Sequence, residues 1–196
     1  MESLGLFFLY AMTAILIENA IFTRTLGVGQ IAFYGSLKNI LLHGALLTLF
    51  TTLCSLAGFG INYLLYDYTV SSSQRALCYL ASITILYVFF YLLCDRLLPI
   101  RLRAVKQMLP LSAFNCAVLG SMLLAVKLQH SLASAFGYGI GTGIGYMLAL
   151  LLIYSGRRRL ELTTLPRSFK GLPILLLYIG LISLAIYGMI GHQLPT

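Results

Sequence analysis

Six stretches of this chain are apolar for long enough to cross the hydrocarbon core of a bilayer, and only short polar joins separate them. They run from about Leu4 to Phe22, Asn39 to Tyr66, Ala76 to Cys94, Met108 to Val126, Ser131 to Tyr154 and Gly171 to Gly191, against a requirement of ~20 residues per spanning helix. Such runs fold as helices, because hydrocarbon leaves a backbone amide no partner outside its own segment. Composition excludes a water-soluble alternative: 60% of the 196 residues are hydrophobic and 9% are charged, whereas soluble domains carry about 25% charged residues. The reading is an all-α integral membrane protein of six transmembrane helices, a single membrane domain over residues 1–196 with no room for a soluble catalytic domain.

The joins, at 23–38, 67–75, 95–106, 127–130 and 155–170, are too short to be domains. Assigned alternately to two sides, they place Arg24, Lys38, Arg96, Arg101, Arg103, Lys106, Arg157, Arg158, Arg159, Arg167 and Lys170 together, with Arg75 and Lys127 opposite. By the positive-inside rule the crowded side is cytoplasmic and both termini face outward. The formal charge of +8 then reports topology rather than nucleic acid, although the Arg157–Arg159 block and the 101–106 segment also suit an acidic partner or anionic lipid. Glu2 and the absence of a basic leader argue for a retained first helix rather than a signal peptide. Cys54, Cys78, Cys94 and Cys116 form no CxxC pair and no disulfide framework.

Cutting after the third helix leaves two three-helix halves, at about 1–98 and 99–196, and an odd helix number makes any repeat inverted. Inverted repeats place their sites near the midplane on interrupted helices. Corresponding interruptions occur in helices one and four: Glu18-Asn19 followed by Leu26-Gly27-Val28-Gly29, and Leu109-Pro110-Leu111 followed by Asn115-Cys116-Ala117-Val118-Leu119-Gly120. An amide in hydrocarbon must find partners. Asn19 and Asn115 therefore either support the broken backbone or simply bond one helix to another. Glu18 has two readings as well, a cation or proton group in an ion path or the partner of Arg24. Gly137, Gly141 and Gly145 lie on one helical stripe and Gly139 and Gly143 on another, the small-residue spacing that lets helices approach closely. Gly44, Gly58 and Gly60 are candidates for the same role. No phosphate loop, HExxH or GxSxG is present, and His43, His130 and His192 read as packing or interfacial residues.

Together with Ile17-Glu18-Asn19, Leu26-Gly27 and Asn115 to Gly120, the run Tyr138 to Ala149 and the last helix from Phe169-Lys170-Gly171 to Ala185 carry a resemblance. The chain resembles the six-helix membrane subunits of the Rnf and Na+-NQR redox pumps, the RnfA/NqrE branch in particular, over nearly its whole length. The resemblance implies a bacterial inner membrane and an oppositely oriented RnfE/NqrD-like paralogue as pseudo-symmetric partner. It also implies further subunits carrying flavin or iron-sulfur centres, and Na+ or H+ movement coupled to electron transfer. In that family each of the paired subunits supplies two cysteines, and four thiolates hold an intramembrane 2Fe-2S cluster. Cys116 matches the second-repeat cysteine. The first-repeat cysteine falls at residue 29, which here is Gly29. The departure leaves three arrangements open: a paralogue that has lost the cluster, a cluster with a non-thiolate fourth ligand, or replacement by Cys54, Cys78 or Cys94, the last being the weakest. A redox-inactive transporter or scaffold is the alternative function.

Overall fold

A computed structural model describes residues 2–29, 36–65, 71–97, 103–128, 131–161 and 166–190. Seven α-helices and no strand occur among them: α1 (Glu2–Met12), α2 (Leu37–Leu64), α3 (Ser72–Leu97), α4 (Arg103–Ala113), α5 (Cys116–Leu128), α6 (Leu132–Glu161) and α7 (Leu172–Ile190). Polar residues just outside the apolar runs start several of them. The Ser36 side chain accepts from Asn39 N–H ahead of α2, Gln74 accepts from Ser71 N–H ahead of α3, and at the head of α6 the backbone N–H groups of Ser131 and Ser134 each donate to the other's hydroxyl. Each removes an orphan donor from a helix end.

Among the described residues four helices are long and apolar enough to cross a membrane, α2, α3, α6 and α7, and the bent pair Ala104–Ala113 and Cys116–Leu124 is either a fifth, broken span or a re-entrant loop. The first apolar helix is shorter than the run Leu4 to Phe22 suggests. Ser3–Ile17 rises only ~22 Å, short of the ~30 Å hydrocarbon core. Its early stop has a local cause, since the Asn19 side chain takes the N–H groups of Ile21 and Phe22 that further turns of helix would have bonded to backbone. Arg101, His130, His192 and both chain ends lie outside the described residues, and the predicted orientation rests partly on them.

Helix α6 is the axle of the bundle, touching α1, α2, α5 and α7. In its apolar window 61% of residues are buried, against 11% in α3 and in α7, which therefore form the outer face. The two glycine stripes serve two different neighbours. A Cβ on Gly137 or Gly141 would strike the Phe7 or Ala11 carbonyl of α1, whereas Cβ atoms on Gly139 and Gly143 would run into the backbone of Thr52 and Thr48 on α2. Hydroxyls close the second contact, with Thr51 and Ser55 donating to the carbonyls of Gly139 and Ala135 at 2.9 and 2.8 Å. Gly44 likewise accommodates Met147. Gly60 differs from these: a Cβ there meets none of the described residues within 4 Å.

Candidate functional site: two helix breaks on one helix

The first break begins inside helix one. After Met12 the winding loosens into a π-helical turn, Thr13–Ile17, and Glu18 N–H donates to Thr13 O at 2.8 Å, the five-residue step of that geometry. Asn19 ends it. Its Nδ2 donates to Ile15 O and to Gly145 O of α6, both at 3.0 Å, while Oδ1 accepts from Ile21 N–H at 3.0 Å and Phe22 N–H at 3.3 Å. Two donors and two acceptor positions are thus all engaged, as a buried amide requires. The chain then folds back through Thr25 (φ +53°) and Gly27 (φ +77°), both in the left-handed region that glycine adopts at no steric cost. Glu18 pairs with Arg24 at 2.9 Å, their side chains 24% and 45% exposed, so the carboxylate has the arginine as its partner.

The second break lies between α4 and α5, which meet at 47°. Pro110 sits inside α4 and removes one helical donor; two residues past the end of α4, Asn115 restarts the chain as a cap. Asn115 Oδ1 accepts from Ala117 N–H at 2.9 Å and its carbonyl accepts from Val118 N–H at 2.9 Å, the pattern of an N-cap. Its Nδ2 donates to the Tyr146 hydroxyl at 2.9 Å. Before the bend, Ser112 Oγ donates to Met108 O and lies 2.8 Å from Nδ1 of His43. His43 is fully buried, with its ring centroid 6.0 Å from that of Tyr146.

These breaks meet. Tyr146 donates to Gly27 O at 3.3 Å, and a Cβ on Gly27 would stand 2.6 Å from Asn115 Oδ1. In return the Leu26 side chain lies where a Cβ on Gly120 would go. Each asparagine accepts from backbone amides at its break and also bonds to α6. The anchors are adjacent, Gly145 for Asn19 and Tyr146 for Asn115. Nothing in the sequence pattern assigns Tyr146 this role; its only local signal is a hydroxyl among aliphatic and small residues.

Cys116 is the first residue of α5 and is exposed; Gly29 is exposed too, and a Cβ added there would meet none of the described residues within 4 Å. Cys54 is buried in α2, and Cys78 and Cys94 lie along α3, away from either break in the chain. Among the described residues no three His, Cys, Asp or Glu side chains gather closely enough to hold a metal ion. The donor set at the breaks is therefore one thiol, which does not fit this chain's expected half of a four-thiolate cluster.

Comparison with known sequences adds an independent line. The family described as "Rnf-Nqr subunit, membrane protein" matches residues 7–192. Similar proteins include the A subunit of the ion-translocating oxidoreductase complex of Tolumonas auensis, 30% identical over 188 residues covering 94% of this chain and 96% of the relative. The subunit of the same name from Erwinia tasmaniensis is 32% identical over 180 residues, 90% of this chain and 92% of the relative. The A subunit of the Na(+)-translocating ferredoxin:NAD(+) oxidoreductase complex of Acetobacterium woodii is 27% identical over 186 residues, 93% and 96% of the two chains.

Proposed function

Because this chain belongs to the Rnf-Nqr family of membrane subunits, we propose that it serves as the RnfA/NqrE-like subunit of an ion-translocating electron-transfer complex in a bacterial inner membrane. The observation that carries this reading is the meeting of two asparagine-capped helix breaks on consecutive residues of α6, the kind of interrupted-helix site around which membrane transport is built. On this reading the chain has six spans, the short first helix and the bent α4–α5 pair each counting as one. The halves at about 1–98 and 99–196 are inverted repeats, the basic joins are cytoplasmic and both termini are outside. Its partners are an oppositely oriented RnfE/NqrD-like paralogue, subunits carrying flavin or iron-sulfur centres, and membrane lipid against the exposed apolar faces of α3 and α7. The moved ion is Na+ or H+. Glu18, Asn19 and Asn115 shape the ion path or support the half-helices beside it.

The 2Fe-2S site is degenerate on this side of the pair. A 2Fe-2S cluster of the four-cysteine type needs four thiolates, and a chain with Gly29 contributes Cys116 alone. This favours the second reading, a redox-inactive subunit that keeps the scaffold for transport or assembly. Coexpression with the paralogue and assay of iron, acid-labile sulfide and the EPR signal tests both. The wild-type pair is expected to fall short of the two irons and two sulfides of a full cluster, and Gly29→Cys, whose Cβ meets none of the described residues, is expected to raise bound iron. A wild-type pair with a full complement and a four-thiolate EPR signature that survives Cys116→Ser overturns the degenerate site.

A further inference from the structure

The two anchors on α6 differ in kind. Gly145 offers Asn19 a backbone carbonyl, which no substitution of a side chain can remove. Tyr146 offers Asn115 a hydroxyl, and a hydroxyl has one proton and two lone pairs to share. Here it accepts from Asn115 Nδ2 at 2.9 Å and donates to Gly27 O at 3.3 Å. One atom thus joins the turn of the first break, the body of α6 and the cap of α5. There is no slack in the arrangement, because a Cβ on Gly27 would stand 2.7 Å from the hydroxyl and 2.6 Å from Asn115 Oδ1.

We propose that Tyr146 is a positioning residue that latches the first helix break to the cap of the second and thereby controls the reactivity of Cys116. The route is short. Asn115 Oδ1 caps Ala117 N–H, and the orientation of that amide group is held from its other end by the Tyr146 hydroxyl. Loss of the hydroxyl releases the Gly27 turn by one bond and lets the Asn115 amide swing off the cap. The first turn of α5, which begins with Cys116, then opens more often. This role is independent of whether the complex carries electrons, and it needs no bound metal.

The test uses the full chain in proteoliposomes with a chelator present, so that any retained iron is removed and the outcome does not depend on the cluster. With Cys54, Cys78 and Cys94 replaced by alanine, the rate of Cys116 modification by methyl methanethiosulfonate is compared between the chain that keeps Tyr146 and Tyr146→Phe, which retains the ring and its packing. Because Cys116 is already exposed with the cap in place, the variant is expected to react faster by at most about five-fold, the population change produced by losing one ordinary hydrogen bond. Tyr178→Phe, whose hydroxyl donates to Leu152 O at 3.5 Å elsewhere on α6, is expected to leave the rate unchanged. Should Tyr146→Phe not accumulate, Gly27→Ala presses on the same contact from the opposite side and is expected to accelerate modification as well. Unchanged Cys116 reactivity in whichever of these variants accumulates, or an equal acceleration by Tyr178→Phe, overturns the proposal.

Discussion

The two helix breaks solve one problem with different materials. Each interrupts a helix in an apolar environment, and each uses an asparagine to satisfy the amides that the interruption frees. The first break has no proline: it relaxes through a π-helical turn and is closed by four side-chain bonds of Asn19. The second has Pro110 inside the preceding helix, and Asn115 caps the restart and reaches Tyr146. The difference teaches where the burden lies. Where the backbone is bent without proline, the side chain must hold more of the freed groups. Where the chain restarts as a new helix, one side-chain acceptor at its cap is enough.

This contrast predicts unequal sensitivity. Asn19→Ala strips the buried N–H groups of Ile21 and Phe22 of an acceptor and cuts the tie to α6. At about 1–3 kcal/mol for each buried donor left unsatisfied, the loss is expected near 3 kcal/mol, read from reversible unfolding in bicelles. A loss below that of the next variant would invert the comparison. Asn115→Ala removes one cap acceptor, and the Tyr146 hydroxyl keeps Gly27 O as a partner. About 1.5 kcal/mol is expected in the same measurement, at the upper part of the usual range for a lost N-cap. Smallest is Arg24→Gln, which breaks the pair with Glu18. With side chains 45% and 24% exposed, the pair is worth less than about 1 kcal/mol, and unfolding is expected to shift by a few tenths. A loss as large as that of Asn19→Ala would mean that the ion pair, rather than the amide, closes the first break.

Much of the architecture is legible in the sequence because its causes are local. Apolar runs of helical length and glycines four residues apart are properties of neighbouring residues, and the structure carries them through to helices packed around α6. Even the two faces of the glycine helix can be read, since a four-residue step returns to the same side of any α-helix. Hydropathy misplaces the end of the first helix. Ala20, Ile21 and Phe22 are apolar and buried, but the amides of the last two are claimed by Asn19.

What the sequence by itself determined is the kind of solvent this chain folds in, the helices it makes there, and the two positions at which an amide inside an apolar run must interrupt or pin a helix. Burial of apolar surface and satisfaction of backbone bonds set these within one segment at a time. Only the tertiary structure decided which groups the asparagines answer to. Asn19 and Gly145 are 126 residues apart, Asn115 and Tyr146 31, and Gly27 and Tyr146 119. No periodicity links such pairs; they meet because the glycine stripes of α6 let α1 and α2 close on it, and that approach brings both breaks to the same two residues.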